Sequence, residues 1–181
     1  MSRIGKKAIK LQSGVEVKQQ GEIVTIKGPK GEITLKVNES FTISTDSGFA
    51  TVAPNVEDPR GRLKALHGLY GSLLQNAVTG VTEGFSKKLT LVGVGYKAQV
   101  QGKKLIMALG FSHPIEFEVP EGLVVSCPDQ TTVDIAGIRK DQVGQFAAEV
   151  RVIRPPEPYK GKGILYFGEK VKRKVGKAGK K

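Results

Sequence analysis

The sequence is short of several things. It has one cysteine, Cys127, and two histidines, His67 and His113, in 181 residues. One cysteine forms no internal disulfide, which fits a reducing compartment. Two scattered histidines and that cysteine give none of the usual metal-ligand spacings. Tryptophan is absent and aromatics are 6% of the chain, few for a module built on base stacking. No apolar run approaches the ~20 residues needed to span a bilayer. The longest, such as Leu89 to Tyr96, are short and broken by glycine. The basic start Met1-Ser2-Arg3-Ile4-Gly5-Lys6-Lys7 has no apolar core after it, so it reads as neither a secretory signal nor a transit peptide.

Acid is also scarce. Seventeen Asp and Glu face 29 Lys and Arg, for a net charge of +12 and a pI near 9.8. Like charges repel in the compact state, so the excess serves a partner rather than the fold. With no spanning segment, the partner expected is a nucleic acid, and a membrane is not.

What is present alternates. Glu22 to Lys27 runs into Gly28-Pro29-Lys30-Gly31, and Glu32 to Val37 runs out, the pattern of a hairpin with a longer, Gly-containing loop. Further strands are expected at Phe41 to Thr45 and Ala50 to Ala53. The period then changes. Asp58 suits an N-cap and Pro59 the first helical position. Leu63, Leu66, Tyr70, Leu73, Leu74, Ala77 and Val78 share a helical face, and Gly80 reads as the stop.

Strands resume at Lys87 to Val92, Tyr96 to Gln101, Lys104 to Leu109, Ile115 to Val119, Leu123 to Cys127 and Thr132 to Ala136. A second helix is expected from Lys140 to about Ile153, ending before Pro155-Pro156. Ile33 to Val37 and Ile115 to Val119 share a pattern, as do Ser44 and Ser126, at an offset of about 82 positions. The reading is an α+β fold of two tandem similar domains, each an antiparallel β-sheet with one packed helix. The domains are set at 1–82 and 83–181. The second carries a basic C-terminal tail, about 155–181, whose deletion is expected to leave a folded protein. The last dozen residues hold no acid and are expected to be disordered alone.

Catalysis finds no foothold. Cys127 beside Pro128 has no local activator. Gly93-Val94-Gly95 lacks the third glycine of a dinucleotide loop, which leaves a bulge or close packing. There is no Walker A pattern. Neither catalytic nor metal-binding residues are assigned, and no cofactor or small-molecule substrate is expected. His67 reads as a packing residue; for His113 both an RNA contact and a loop cap stay open. The tail is the strongest signal, since lysines among glycines suit a phosphate backbone. Lys160 and Lys162 sit two apart and point the same way in an extended chain. Two roles are open to Tyr159: stacking on a base or ribose, or packing at a domain edge.

Here a resemblance enters. Pro156-Glu157-Pro158-Tyr159-Lys160-Gly161-Lys162-Gly163-Ile164 resembles the signature of the bacterial type of large-subunit ribosomal protein L-six. Ser2 to Lys7, Gly28 to Gly31, Gly93 to Lys97, Leu109 to Pro114, Asp141 to Gln145, and Ala147-Ala148 resemble further family blocks. The resemblance implies a cytoplasmic, non-enzymatic constituent of the large ribosomal subunit, with two duplicated α+β domains. It implies binding to large-subunit rRNA, chiefly through the second domain. It implies a place near the sarcin–ricin loop and stalk base, among neighbouring ribosomal proteins and close to where translation factors dock. The matching RNA-contact residues are Tyr159, Lys160, Gly161, Lys162 and Gly163, with Lys170, Lys172, Arg173, Lys174 and Lys177 in the tail beyond. Arg151 and Arg154, just before the prolines, are added on charge alone. The competing reading is a free-standing RNA- or DNA-binding regulatory module.

Overall fold

The computed structural model describes residues 2–56, 61 and 63–176. Asp58, Pro59 and Lys177 lie outside the described residues. The fold is α+β, with two helices and antiparallel sheets. The chain divides into two compact units, 1–84 with 138–140, and 85–137 with 141–181.

In the first unit, β2 (Glu16–Gln20), β3 (Ile23–Gly28) and β4 (Gly31–Lys36) form one three-stranded sheet. β1 (Ile9–Lys10), β6 (Phe49–Pro54) and β5 (Phe41–Asp46) form another. Alternation decides which faces are buried: Val24, Ile26 and Ile33 turn inward while Ile23, Thr25 and Glu32 do not. The β3–β4 turn is tighter than its composition suggests, since Gly28 pairs with Gly31 across only Pro29 and Lys30. The Lys30 amide donates to the Val81 carbonyl at 2.9 Å, and its ammonium donates to the Glu83 carbonyl. The hairpin tip is thereby tied to the end of α1 (Leu63–Thr82).

That helix buries Leu74, Ala77, Val78 and Val81 against Val24, Ile26, Phe41 and Val52. It passes through Gly80 instead of stopping there. A Cβ on Gly80 would lie 2.1 Å from the Ile138 carbonyl oxygen, so this glycine is a close-approach residue. His67 is buried at 1% exposure. Its Nε2–H donates to the Val52 carbonyl at 2.9 Å, and its Nδ1 accepts from the Ser2 amide at 3.3 Å. The packing role expected of it therefore includes anchoring the N-terminal segment.

In the second unit, β8 (Lys97–Gln101), β9 (Lys104–Ala108) and β10 (Ile115–Glu118) form a three-stranded sheet in chain order. A four-stranded sheet runs β11 (Leu123–Ser126), β12 (Thr132–Gly137), β7 (Phe85–Val92), β13 (Gly163–Tyr166). The helix α2 (Lys140–Ile153) has the expected bounds and buries Val143, Phe146, Ala147 and Val150. The duplication is visible in the order of pairing. β8–β9–β10 repeats β2–β3–β4, and β11–β12–β7 repeats β5–β6–β1.

The second unit adds β13 as an extra edge strand, which the sequence reading did not foresee. Ile164 is fully buried in the core with Leu89, Leu91 and Val150. Segment 155–181 is therefore not a detachable tail. A cut at 155 would strip a strand from β7 and expose that core, so deletion there does not leave an intact unit.

Candidate nucleic-acid interface

The path of the chain after α2 is set by backbone hydrogen bonds. The helix stops at Ile153, ahead of two prolines that cannot continue it. Residues 154–157 then run beside 161–164. The Ile164 amide donates to the Arg154 carbonyl at 2.8 Å, and the Glu157 amide to the Lys162 carbonyl at 2.7 Å. The Gly161 amide returns to the Glu157 carbonyl at 3.1 Å. Gly163 is buried with φ +139°, and a Cβ there would sit 2.6 Å from the Pro155 carbonyl oxygen. Only glycine allows this crossing. The result is a fixed loop holding Lys160 and Lys162 exposed on either side of buried Gly161.

The tail returns to the same loop. The Lys174 amide donates to the Pro158 carbonyl at 2.8 Å. The Arg173 guanidinium lies where a Gly161 Cβ would meet it at 3.4 Å. Arg173 and Lys174, in a segment expected to be disordered alone, are thus laid against the Tyr159–Gly163 loop, and residues 170–174 have no regular secondary structure. Lys160, Lys162, Lys170, Lys172, Arg173 and Lys174 are all exposed, and Tyr159 is 54% exposed. Arg173 and Lys174 are thereby brought beside the loop that carries Lys160 and Lys162. No described carboxylate pairs with any of these six.

Arg151 and Arg154 are placed differently. Arg151 reaches Glu169 twice, from Nη2 to Oε1 at 2.6 Å and from Nε to Oε2 at 3.3 Å. Its guanidinium also lies 5.4 Å from the Tyr166 ring centre. The Glu169 carboxylate accepts from the Tyr166 amide at 3.0 Å, and its own amide donates to the Tyr166 carbonyl. The hydrogen bond from Arg151, helped by that from the Tyr166 amide, holds the Glu169 carboxyl below its ordinary range. Glu169 is the last acid in the chain, and the pair fixes the point from which the tail departs. Arg154 donates from Nε to the Tyr96 hydroxyl at 3.1 Å and lies over the Phe111 ring at 5.1 Å. It remains exposed.

Two lysines and an aromatic that sequence alone did not single out lie nearby: Lys87, Lys88, which pairs with Asp134 at 3.6 Å, and Phe167. Lys87 and Lys88 of β7 sit 5.7 Å from the Tyr166 ring and 5.5 Å from the Phe167 ring. Phe167 is 74% exposed, just past the C-terminal end of β13, opposite the end that meets the Tyr159–Gly163 loop. An exposed aromatic next to lysines was the available signal, but it follows a strand that had not been recognised. Gly93 of the Gly93-Val94-Gly95 turn packs on Tyr96, where a Cβ would come within 2.8 Å of the ring. That settles close packing as its role. His113 is exposed, with Nδ1 3.4 Å from the Ser112 hydroxyl.

The Cys127 thiol is pushed up by partial burial and by nearby Asp134, the opposite of the shift that activates a nucleophilic thiol. Among the described residues no group of three His, Cys, Asp or Glu side chains is placed to hold a metal ion. No described helix is long and apolar enough to cross a membrane.

A family model described as ribosomal protein L6 matches this chain twice, over residues 12–84 and 92–167. The chain belongs to the ribosomal protein L6 family. The double match falls on the two halves of the duplication. Full-length relatives agree. The large ribosomal subunit protein uL6 of Lactiplantibacillus plantarum is 53% identical over 180 residues, spanning 99% of this chain and all of the relative. The protein of that name from Oenococcus oeni is 54% identical over 180 residues, with the same coverage. That of Rubrobacter xylanophilus is 49% identical over 179 residues. L6 proteins are structural ribosomal proteins, and this L6 protein is not an enzyme.

Proposed function

We propose that this L6 protein is a structural constituent of the large ribosomal subunit, cytoplasmic within the ribosome, and that its second unit grips folded large-subunit rRNA. The observation that carries the reading is the shared surface of the Tyr159–Gly163 loop and residues 170–174. The loop is fixed by the Gly163 crossing, and the tail is tied to it through Lys174 and Arg173. Lys160, Lys162, Lys170, Lys172, Arg173 and Lys174 then neutralise phosphates where RNA strands come close, and release condensed counterions. Lys177 extends the same run in sequence. Buried Gly161 and Gly163 let the loop pack tightly on the chain beneath it, which leaves Lys160 and Lys162 as the groups that meet a phosphate. Tyr159 offers its ring to a base or ribose.

Arg154 borders this surface, and Arg151 acts through Glu169 by setting where the tail leaves the sheet. Recognition rests on RNA shape and 2′-OH contacts, because six flexible cations carry no base code. The likeness to L6 proteins supports a position near the sarcin–ricin loop and the stalk base, among the ribosomal proteins found there.

The test is the salt dependence of binding to a large-subunit rRNA transcript. Lys160→Ala with Lys162→Ala is expected to lower the slope of log K against log salt by about one to two units. An unchanged slope would assign both lysines to solubility.

A further inference from the structure

The first unit carries a second basic feature, far in sequence from the interface above. Its N-terminal segment is folded. The Lys6 amide donates to the Ser2 carbonyl at 3.2 Å, and the Lys7 amide to the Ile4 carbonyl at 3.3 Å. Gly5 is the reason the segment lies flat on α1. A Cβ on Gly5 would strike the His67 ring at 2.4 Å, and one on Gly71 would meet the Gly5 Cα at 2.9 Å. Two glycines and a buried histidine thus clamp the segment to the helix. Beside the clamp is a groove of about 630 Å³, with Ile4 and Ile9 on its apolar floor and Arg3, Lys7, Ser72, Gln75, Asn76 and Lys140 around it. Arg3 and Lys7 are exposed, and no described carboxylate pairs with either. Lys140 is held at the rim by Asn76, donating to its Oδ1 at 3.4 Å.

We infer that this groove is a preformed site for the sugar–phosphate backbone of a second RNA segment. It rests on the reading of the protein as an rRNA-bound constituent, and adds a contact made by the first unit. Three cations and three neutral hydrogen-bonding side chains, with no acid among them, match a phosphate backbone and its ribose hydroxyls. An acidic protein segment fits less well, because the groove has no aromatic wall to anchor a side chain and its polar groups are cations, amides and a hydroxyl spread along the rim. The glycine clamp lowers the entropic cost of using Arg3 and Lys7, which on a free N-terminus would have to be ordered on binding.

The experiment uses the full chain and a large-subunit rRNA transcript. Arg3→Ala with Lys7→Ala is expected to lower the salt slope by about one to two units, in the parent protein and equally in the Lys160→Ala, Lys162→Ala background. Gln75→Glu, which leaves the N-terminal segment untouched, is expected to weaken binding in the same direction. It guards against a fold defect in the first pair. A photo-crosslinker at position 75 is expected to label RNA in assembled large subunits. An unchanged slope, or labelling of a neighbouring protein instead of RNA, would overturn the inference. A slope that falls with Arg3 and Lys7 but not with Lys160 and Lys162 would keep this site and remove the one proposed in the second unit.

Discussion

Truncation after Glu169 is expected to reduce rRNA affinity at about 0.1 M salt by three or more orders of magnitude while leaving the second unit folded. The cut removes Lys170, Lys172, Arg173, Lys174, Lys177, Lys180 and Lys181. Each cation that neutralises a phosphate contributes roughly 0.7–0.9 to the salt slope, so four to seven contacts amount to about three to six units. The cut spares β13 and the Arg151–Glu169 pair, which is why it isolates binding from folding. Thermal unfolding should therefore change little. Affinity that survives within tenfold, with a matching salt slope, would move the interface off the tail.

Gly163→Val is expected to do the reverse and damage the fold first. The residue sits at φ +139°, where a side chain is strained, and three atoms crowd the place a Cβ would take. They are the Pro155 oxygen at 2.6 Å, the Pro156 Cα at 2.7 Å and the Arg154 oxygen at 2.8 Å. All belong to backbone, and the Arg154 carbonyl is already held by the Ile164 amide. Backbone strain contributes about 1–3 kcal/mol and overpacking another 1–3 kcal/mol, so a loss of about 2–6 kcal/mol is expected in urea unfolding. Gly168→Val is the control. It has φ +81° but no neighbour within 4 Å, so only the strain remains. Equal losses at the two positions would show that the crossing at Gly163 is not tight.

Much of this architecture was legible in the sequence, and the failures have particular causes. α2 could be bounded at both ends because its apolar period is clean and Pro155-Pro156 closes it. The duplication could be read because paired strands keep their alternation at a constant offset. Gly80 misled because glycine as a helix stop and glycine as a point of close approach look alike until the neighbour is known. Here the neighbour is Ile138, far along the chain. β13 was missed because Gly163-Ile164-Leu165-Tyr166 does not alternate, unlike the equally short β10, and sits inside a stretch dominated by lysine and glycine.

The candidate interface divides in the same way. Lys160 and Lys162 stood out by local pattern, and both are exposed. Arg151 and Arg154 were added on charge, but charge does not reveal a partner. Glu169 lies past an unrecognised strand, and Tyr96 is a whole sheet away in sequence. The groove beside Gly5 and His67 was invisible for the same reason. Its residues come from the N-terminus, the middle of α1 and the start of α2.

The most direct test of the central claim is sedimentation of a cell lysate through a sucrose gradient in high-salt buffer, with the fractions probed for this protein. The account predicts co-migration with large ribosomal subunits, because the shape and 2′-OH contacts of the fixed loop hold the protein in folded rRNA even as salt weakens each phosphate contact. Protein remaining at the top of the gradient, at high and low salt alike, would contradict it and favour a free nucleic-acid-binding module.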